Sequence, residues 1–180
     1  MKNQNTKKLA YAALLLALCL VLPMLTGQIP QIGSMLLPMH IPVLLCGLVC
    51  GWQYGAAVGF VAPLLRSVLF GMPPMYPVAI AMAFELLTYG LVIGLVYRRM
   101  AQKGAAGVYA ALLTAMVAGR LVWGVAEVVL LGLGGKAFTA QAFLAGALLN
   151  AVPGIIVQLV LIPAVMAALQ KAGAVKEYAE

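Results

Sequence analysis

Five ionisable residues, His40, Arg66, Glu85, Arg120 and Glu127, stand inside or at the edge of long apolar runs. Each charge placed in hydrocarbon costs about 2.5–3.5 kcal/mol on insertion scales. Four unpaired ones would cost roughly 10 kcal/mol, comparable to the whole stability of a typical domain. Such groups must pair with one another, face a water-filled cavity, or both. The arginines can hold a carboxylate bidentately, and the glutamates can neutralise them or meet an amine. Tyr89 and Trp123 can stack on a ring, and Asn150 and Gln158 add amides. Together these are the parts of a binding site for a small polar molecule.

Spacing and depth decide whether the parts can meet. Residues three, four, seven or eight apart share a helix face. Arg120, Trp123 and Glu127 fall at i, i+3 and i+7, and Glu85 and Tyr89 at i and i+4. Asn150, Gly154 and Gln158 fall at i, i+4 and i+8, with Pro153 beside them to free a backbone carbonyl. At 1.5 Å per residue, Glu85 lies about 12 Å inward from Pro77 and Arg66 about 8 Å from Gly71. Arg120 and Glu127 lie about 20 Å and 9 Å from Leu133, and Asn150 about 13 Å from Gln141. The heights overlap in one half of a bilayer, which predicts a one-sided vestibule rather than a continuous pore. The competing arrangement is a pair of internal locks, Arg66–Glu85 and Arg120–Glu127, that only hold helices together.

Catalytic chemistry has little to draw on. The chain has four Asp+Glu, all of them glutamates, and one histidine. Ser34 and Ser67 lack a nucleophile setting, and His40 has no second histidine or aspartate with which to build a metal or catalytic site. Cys19, Cys46 and Cys50 form no zinc pattern and read as buried helix residues. The phosphate loop G-x-x-x-x-G-K-[ST] is missing, so ATP hydrolysis by that route is excluded. The expectation is a protein that is not an enzyme, with no cofactor, no metal and no nucleic-acid partner; energy for active transport would come from a partner.

The elements that must position these residues follow from composition. Of 180 residues, 65% are hydrophobic and 8% charged, with a mean hydropathy of +1.09. A soluble domain is about 45–50% apolar and about 25% charged. Membrane helices of roughly 20 residues each predict an all-α membrane protein, a single domain over 1–180 built as a bundle of six transmembrane helices. The spans are expected at about 9–25, 41–51, 55–71, 77–97, 105–133 and 141–169. The basic start followed by Leu9–Leu25 also fits a signal peptide, but no small-x-small cleavage site follows, and a retained span is expected. Trp52-Gln53-Tyr54 is expected to be the tight turn between spans two and three. With the N-terminus inside, eight of the eleven Lys and Arg fall on the inner side, which places both termini in the cytoplasm. Two uncharged connections then lie outside: Thr26–His40, long enough to form a lid, and the proline-stiffened Gly71–Pro77. Gly47, Gly51, Gly55 and Gly59, with Gly90 and Gly94, predict close helix packing.

Three segments carry a resemblance to a known family. They are the small pair Ala13 and Ala17 after a basic start, the entry to span two at Leu37-Pro38-Met39-His40-Ile41-Pro42-Val43-Leu44-Leu45-Cys46-Gly47, and the hairpin Gly51-Trp52-Gln53-Tyr54-Gly55-Ala56-Ala57-Val58-Gly59. With its size and span pattern, the chain resembles the S component of energy-coupling factor (ECF) transporters over essentially its whole length; Trp52 stands where a proline is commoner. The resemblance implies a multi-pass subunit of the bacterial plasma membrane that captures a vitamin or related micronutrient from outside. It implies work with a transmembrane coupling subunit, met at Ala13 and Ala17, and two ATPase subunits. The substrate-binding residues would be His40, Arg66, Glu85, Tyr89, Arg120, Trp123, Glu127, Asn150 and Gln158. The arginines lean towards an acidic vitamin such as pantothenate or nicotinate, the glutamates towards an amine-bearing one. The alternatives are a structural or assembly membrane protein with internal Arg–Glu locks, and a solitary small-molecule carrier.

Overall fold

The computed structural model describes residues 2–25, 35–100, 104–135, 137, 139–146 and 150–173. Among them the regular structure is all helical: α1 (Lys2–Leu25), α2 (His40–Cys50), α3 (Trp52–Phe70), α4 (Ile80–Met100), α5 (Ala105–Leu133), α6 (Ala140–Leu144) and α7 (Val152–Lys171). Five stretches are long and apolar enough to cross a membrane: α1, α3, α4 with the turn before it, α5 and α7.

Two of the six expected spans take a different form. The stretch 41–51 becomes α2, an 11-residue helix, which rises about 16 Å against a hydrocarbon core of about 30 Å. The stretch 141–169 divides into α6 and α7. Thr139 caps α6 by accepting from the Ala142 N–H at 3.1 Å. Pro153 sits in the first turn of α7, where a missing N–H leaves no helix bond unmade. An apolar run continuous in sequence is therefore cut by a helix start, and residues 147–149 lie outside the described residues.

The hairpin turn is also tighter than expected. Gly51 alone reverses the chain, at φ 97° and ψ 168°, a backbone conformation that only glycine adopts without strain. Trp52, Gln53 and Tyr54 are the first turn of α3, not a loop.

α4 is the centre of the bundle and packs against α2, α3 and α5. The glycines make this possible. A Cβ on Gly59 would strike the Leu86 backbone, one on Gly90 the Gly55 backbone, and one on Gly94 the Trp52 backbone. With hydrogen in those places, α3 and α4 meet backbone to backbone, as small residues permit where lipid supplies no hydrophobic drive. Leu44, Leu48, Leu86, Ile93, Leu112 and Ile162 fill the buried core. Cys19, Cys46 and Cys50 are buried and unbridged, as expected. α1 lies on α2 and α3, and α7 on α2 and α5. Gln170 near the end of α7 donates to the Tyr97 hydroxyl on α4 at 3.2 Å.

The two connections differ in what can be said. Of Thr26–His40, residues 26–34 lie outside the described residues, so the expected lid is seen only in its last part. The Gly71–Pro77 connection is described throughout. Gly71 ends α3 at φ 69°, its N–H bonded to the Ser67 carbonyl at 2.9 Å. The turn Met75–Ala79 is extended at Tyr76 (φ −116°, ψ 132°). The Tyr76 phenol donates to the Leu130 carbonyl, which fastens this turn to α5.

Gly59→Ala and Gly90→Ala should each destabilise the protein by about 1–3 kcal/mol through overpacking, read as a lower melting temperature in detergent. Gly132→Ala, where nothing lies within 4 Å of the added carbon, should leave it unchanged.

Candidate functional site

The site is built where α2, α4 and α5 come together. Its centre is the Glu85 carboxylate on α4, 2% exposed. One of its oxygens, Oε1, lies 2.9 Å from Arg120 Nη1 on α5 and 3.4 Å from His40 Nε2 at the first turn of α2. The His40 and Tyr89 rings meet edge to face at 5.1 Å between centroids. Tyr89 is buried one turn from Glu85, and Gly119 leaves room for its ring against α5. The Arg120 guanidinium lies 6.0 Å from the Trp123 ring, which stacks on Phe143 of α6 at 6.1 Å. Three elements thus converge on one carboxylate, and a fourth closes the aromatic side.

Several nitrogens of these residues stand without a partner. Among the described residues, both His40 ring nitrogens, Arg120 Nε, Arg120 Nη2 and Gln158 Nε2 are buried with no hydrogen-bond partner. Gln158 is 1% exposed. It lies one turn along α7 from Gly154, and Gly154 packs on the Met35–Leu36 backbone leading into α2, so Gln158 belongs to the face turned towards the start of α2. A buried polar group left unsatisfied costs about 1–3 kcal/mol, and native structures hold few such groups unless they serve a purpose. The Arg120 and Gln158 nitrogens are donors that the acceptors of a guest can meet.

The expected locks are not the ones that form. Arg120 pairs with Glu85 rather than with Glu127. Seven residues separate Arg120 from Glu127 along one helix, a rise of about 10 Å, too far for a direct ion pair. Arg66 does not reach Glu85 among the described residues. It is buried, donates to the Leu20 carbonyl on α1, and lies 5.3 Å over the Phe70 ring. The neighbouring Cys19 carbonyl is the one that Pro23, lacking an N–H, deprives of its helix donor. The Cys19 thiol bonds across to the Met39 carbonyl at 3.6 Å, so the same turn of α1 also holds the start of α2.

The remaining expected residues divide. Glu127 is buried on the same face of α5 as Arg120, with no salt bridge among the described residues. Asn150 does not join the Gly154–Gln158 face: it is exposed, in the turn before α7, with its backbone N–H bonded to the Ala145 carbonyl at 2.9 Å. Phe143 and the Leu20 carbonyl were absent from the expected set. A backbone carbonyl carries no signal in residue type, which hid the second; the break before α7 hid the first. An apolar hollow of about 350 Å³ on another side of α5, lined by Leu121, Gly124, Val125, Val128, Thr139, Ala140 and Phe143, has no charged lining residue.

Comparison with known proteins agrees with this architecture. Residues 7–167 match the family model described as ECF transporter, substrate-specific component. The chain belongs to that family. It is a multi-pass protein of the cell membrane and a substrate-binding subunit for transport. Membership brings a small-molecule substrate and, as working partners, ECF coupling and ATPase subunits. The comparisons with curated proteins and with solved structures found no match.

Removing one member of a buried ion pair costs about 3–5 kcal/mol. Glu85→Ala, which strands both Arg120 and His40, should therefore lower the melting temperature clearly more than Glu127→Ala, which breaks no salt bridge.

Proposed function

We propose that the cluster of His40, Glu85, Tyr89, Arg120, Trp123, Glu127 and Gln158 is the chamber in which this S component captures a vitamin or related micronutrient from outside the cell. The observation that carries the reading is the set of buried donors on Arg120 and Gln158 that have no partner among the described residues. A bundle held together only by Arg–Glu locks would consume its donors, and this one keeps them. Trp123 and Tyr89 give the aromatic surfaces a ring-bearing cargo needs. Arg66 and Asn150 fall outside this chamber, the first committed to α1 and the second exposed.

The wider arrangement follows from charge and length. Both termini are cytoplasmic, as the concentration of Lys and Arg on that side requires. α2 then counts as a sixth element that enters the membrane without crossing it alone. Uptake is driven by ATP hydrolysis in two partner subunits through the coupling subunit. Ala13 and Ala17 are exposed on α1 while Ala12 between the helices is buried, so a small-residue strip faces outwards, where a partner helix can approach closely.

Two measurements test these assignments. Arg120→Ala and Glu127→Ala should each weaken binding of the cargo at least about tenfold, about 1.4 kcal/mol, the cargo being identified by mass spectrometry of small molecules released from the purified protein. Equal affinity in both variants would move the chamber elsewhere. Separately, Ala13→Trp or Ala17→Trp should abolish copurification with the coupling subunit while cargo binding persists; intact complexes would remove α1 as the docking face.

A further inference from the structure

The orientation of one guanidinium narrows the cargo further. Arg120 spends Nη1 on Glu85, and its Nε and Nη2 remain without partners among the described residues. Those two nitrogens share one edge of the planar group, and their hydrogens point the same way. That edge is the fork that receives both oxygens of a carboxylate in parallel hydrogen bonds. Glu85 holds the guanidinium from its other side, and the Trp123 ring lies beneath it at 6.0 Å. The fork is therefore held in one direction, and because both its nitrogens are buried a ligand has to displace the side chains that cover them.

Charge sets how much negative ligand the site accepts. Glu85 already balances Arg120. Arg66, the other cation inside the bundle, is engaged on the Leu20 carbonyl of α1. Glu127 lies buried about 10 Å along the same face of α5, where it opposes a second negative charge. A phosphate, carrying about −1.5 to −2 at neutral pH, would meet only one guanidinium already shared with Glu85. A single carboxylate fills the fork without that excess, and the open Gln158 amide nitrogen can donate to the rest of the molecule.

We infer that the cargo is a small monocarboxylate whose carboxylate docks on Arg120 Nε and Nη2. The inference rests on the chamber proposed above and gives its substrate class. Matched pairs that differ only at the carboxylate test it on the full chain in lipid nanodiscs: nicotinate with nicotinamide, pantothenate with panthenol, biotin with biotinamide, and lipoate with lipoamide, with thiamine and pyridoxine as carboxylate-free probes. At least one acid should bind, its neutral counterpart roughly a hundredfold or more weaker, as expected from losing two charge-assisted bonds. Arg120→Lys keeps the charge and removes the fork; it should cost the acid about tenfold or more and narrow the gap between the acid and its neutral counterpart. Equal binding within a pair, binding of none of the four acids, or capture of thiamine or pyridoxine instead overturns the carboxylate assignment. If a carboxylate-free probe binds and is lost in Glu127→Ala and Gln158→Leu, the chamber stands and only the substrate class falls. If an acid binds with full discrimination and none of Arg120→Lys, Glu127→Ala or Gln158→Leu weakens it, the chamber itself is misplaced. The pair comparison needs only the unaltered chain, so it decides the question even where a variant fails to fold.

Discussion

A single carboxylate oxygen, Glu85 Oε1, is the constraint around which the interior is arranged. In an apolar bundle a lone charge is barely tolerable, and two opposite charges are tolerable only in contact with their remaining hydrogen-bonding capacity met. Glu85 meets the first condition by holding Arg120 and standing beside His40. Its position is not adjustable, because it belongs to the helix packed on three sides. Leu86, its neighbour in sequence, has its backbone against Gly59. The close approach of α3 and α4 therefore fixes the height and direction of Glu85, and Glu85 in turn fixes the guanidinium of α5 and the entry of α2. Packing of the smallest residues and placement of the most polar ones are one problem in this protein, solved at the same turn.

Much of this was legible in the sequence, and what was missed has identifiable causes. Composition was enough for an all-helical membrane protein. Helix periodicity put Arg120, Trp123 and Glu127 on one face and Glu85 with Tyr89 on another, and the glycine spacing marked the helix crossing. Height and face do not say which helices are neighbours around the bundle. Arg66 and Arg120 both lay at heights compatible with Glu85, and only the position of α4 between α3 and α5, with α1 alongside α3, separates them. Arg66 found a backbone carbonyl, a partner that leaves no mark among side chains. The break between α6 and α7 falls in a run, 141–169, whose polar residues Asn150 and Gln158 also fit one helix face at eight-residue spacing. The start of α7 is marked by Asn150 in the turn before it and by Pro153 in its first turn. Gly51 likewise did alone the work expected of a three-residue turn.

Surfaces in this protein must be read by shape. Leu14, Val21, Val125, Val128 and Val160 are all exposed, which on a soluble protein would signal a sticky patch. Here lipid is the solvent and such side chains are ordinary. A contact surface for another helix is then distinguished by what is small, because backbones can approach only where side chains do not intervene. The same rule operates inside the bundle at Gly55, Gly59 and Gly90.

The brevity of α2 has a consequence for the depth of the polar groups. Gly51 turns at the level where α3 begins, so an 11-residue helix carries His40 only about half the bilayer thickness from that face. His40 and Glu85 thus stand about midway through the apolar layer. Between them and the Gly51 turn, Leu44, Leu48, Cys46, Leu86 and Ile93 are fully buried and carry no charge. The polar cluster and the Gly51 turn are therefore separated by several layers of packed apolar side chains, so polar chemistry in this part of the bundle is confined to one depth.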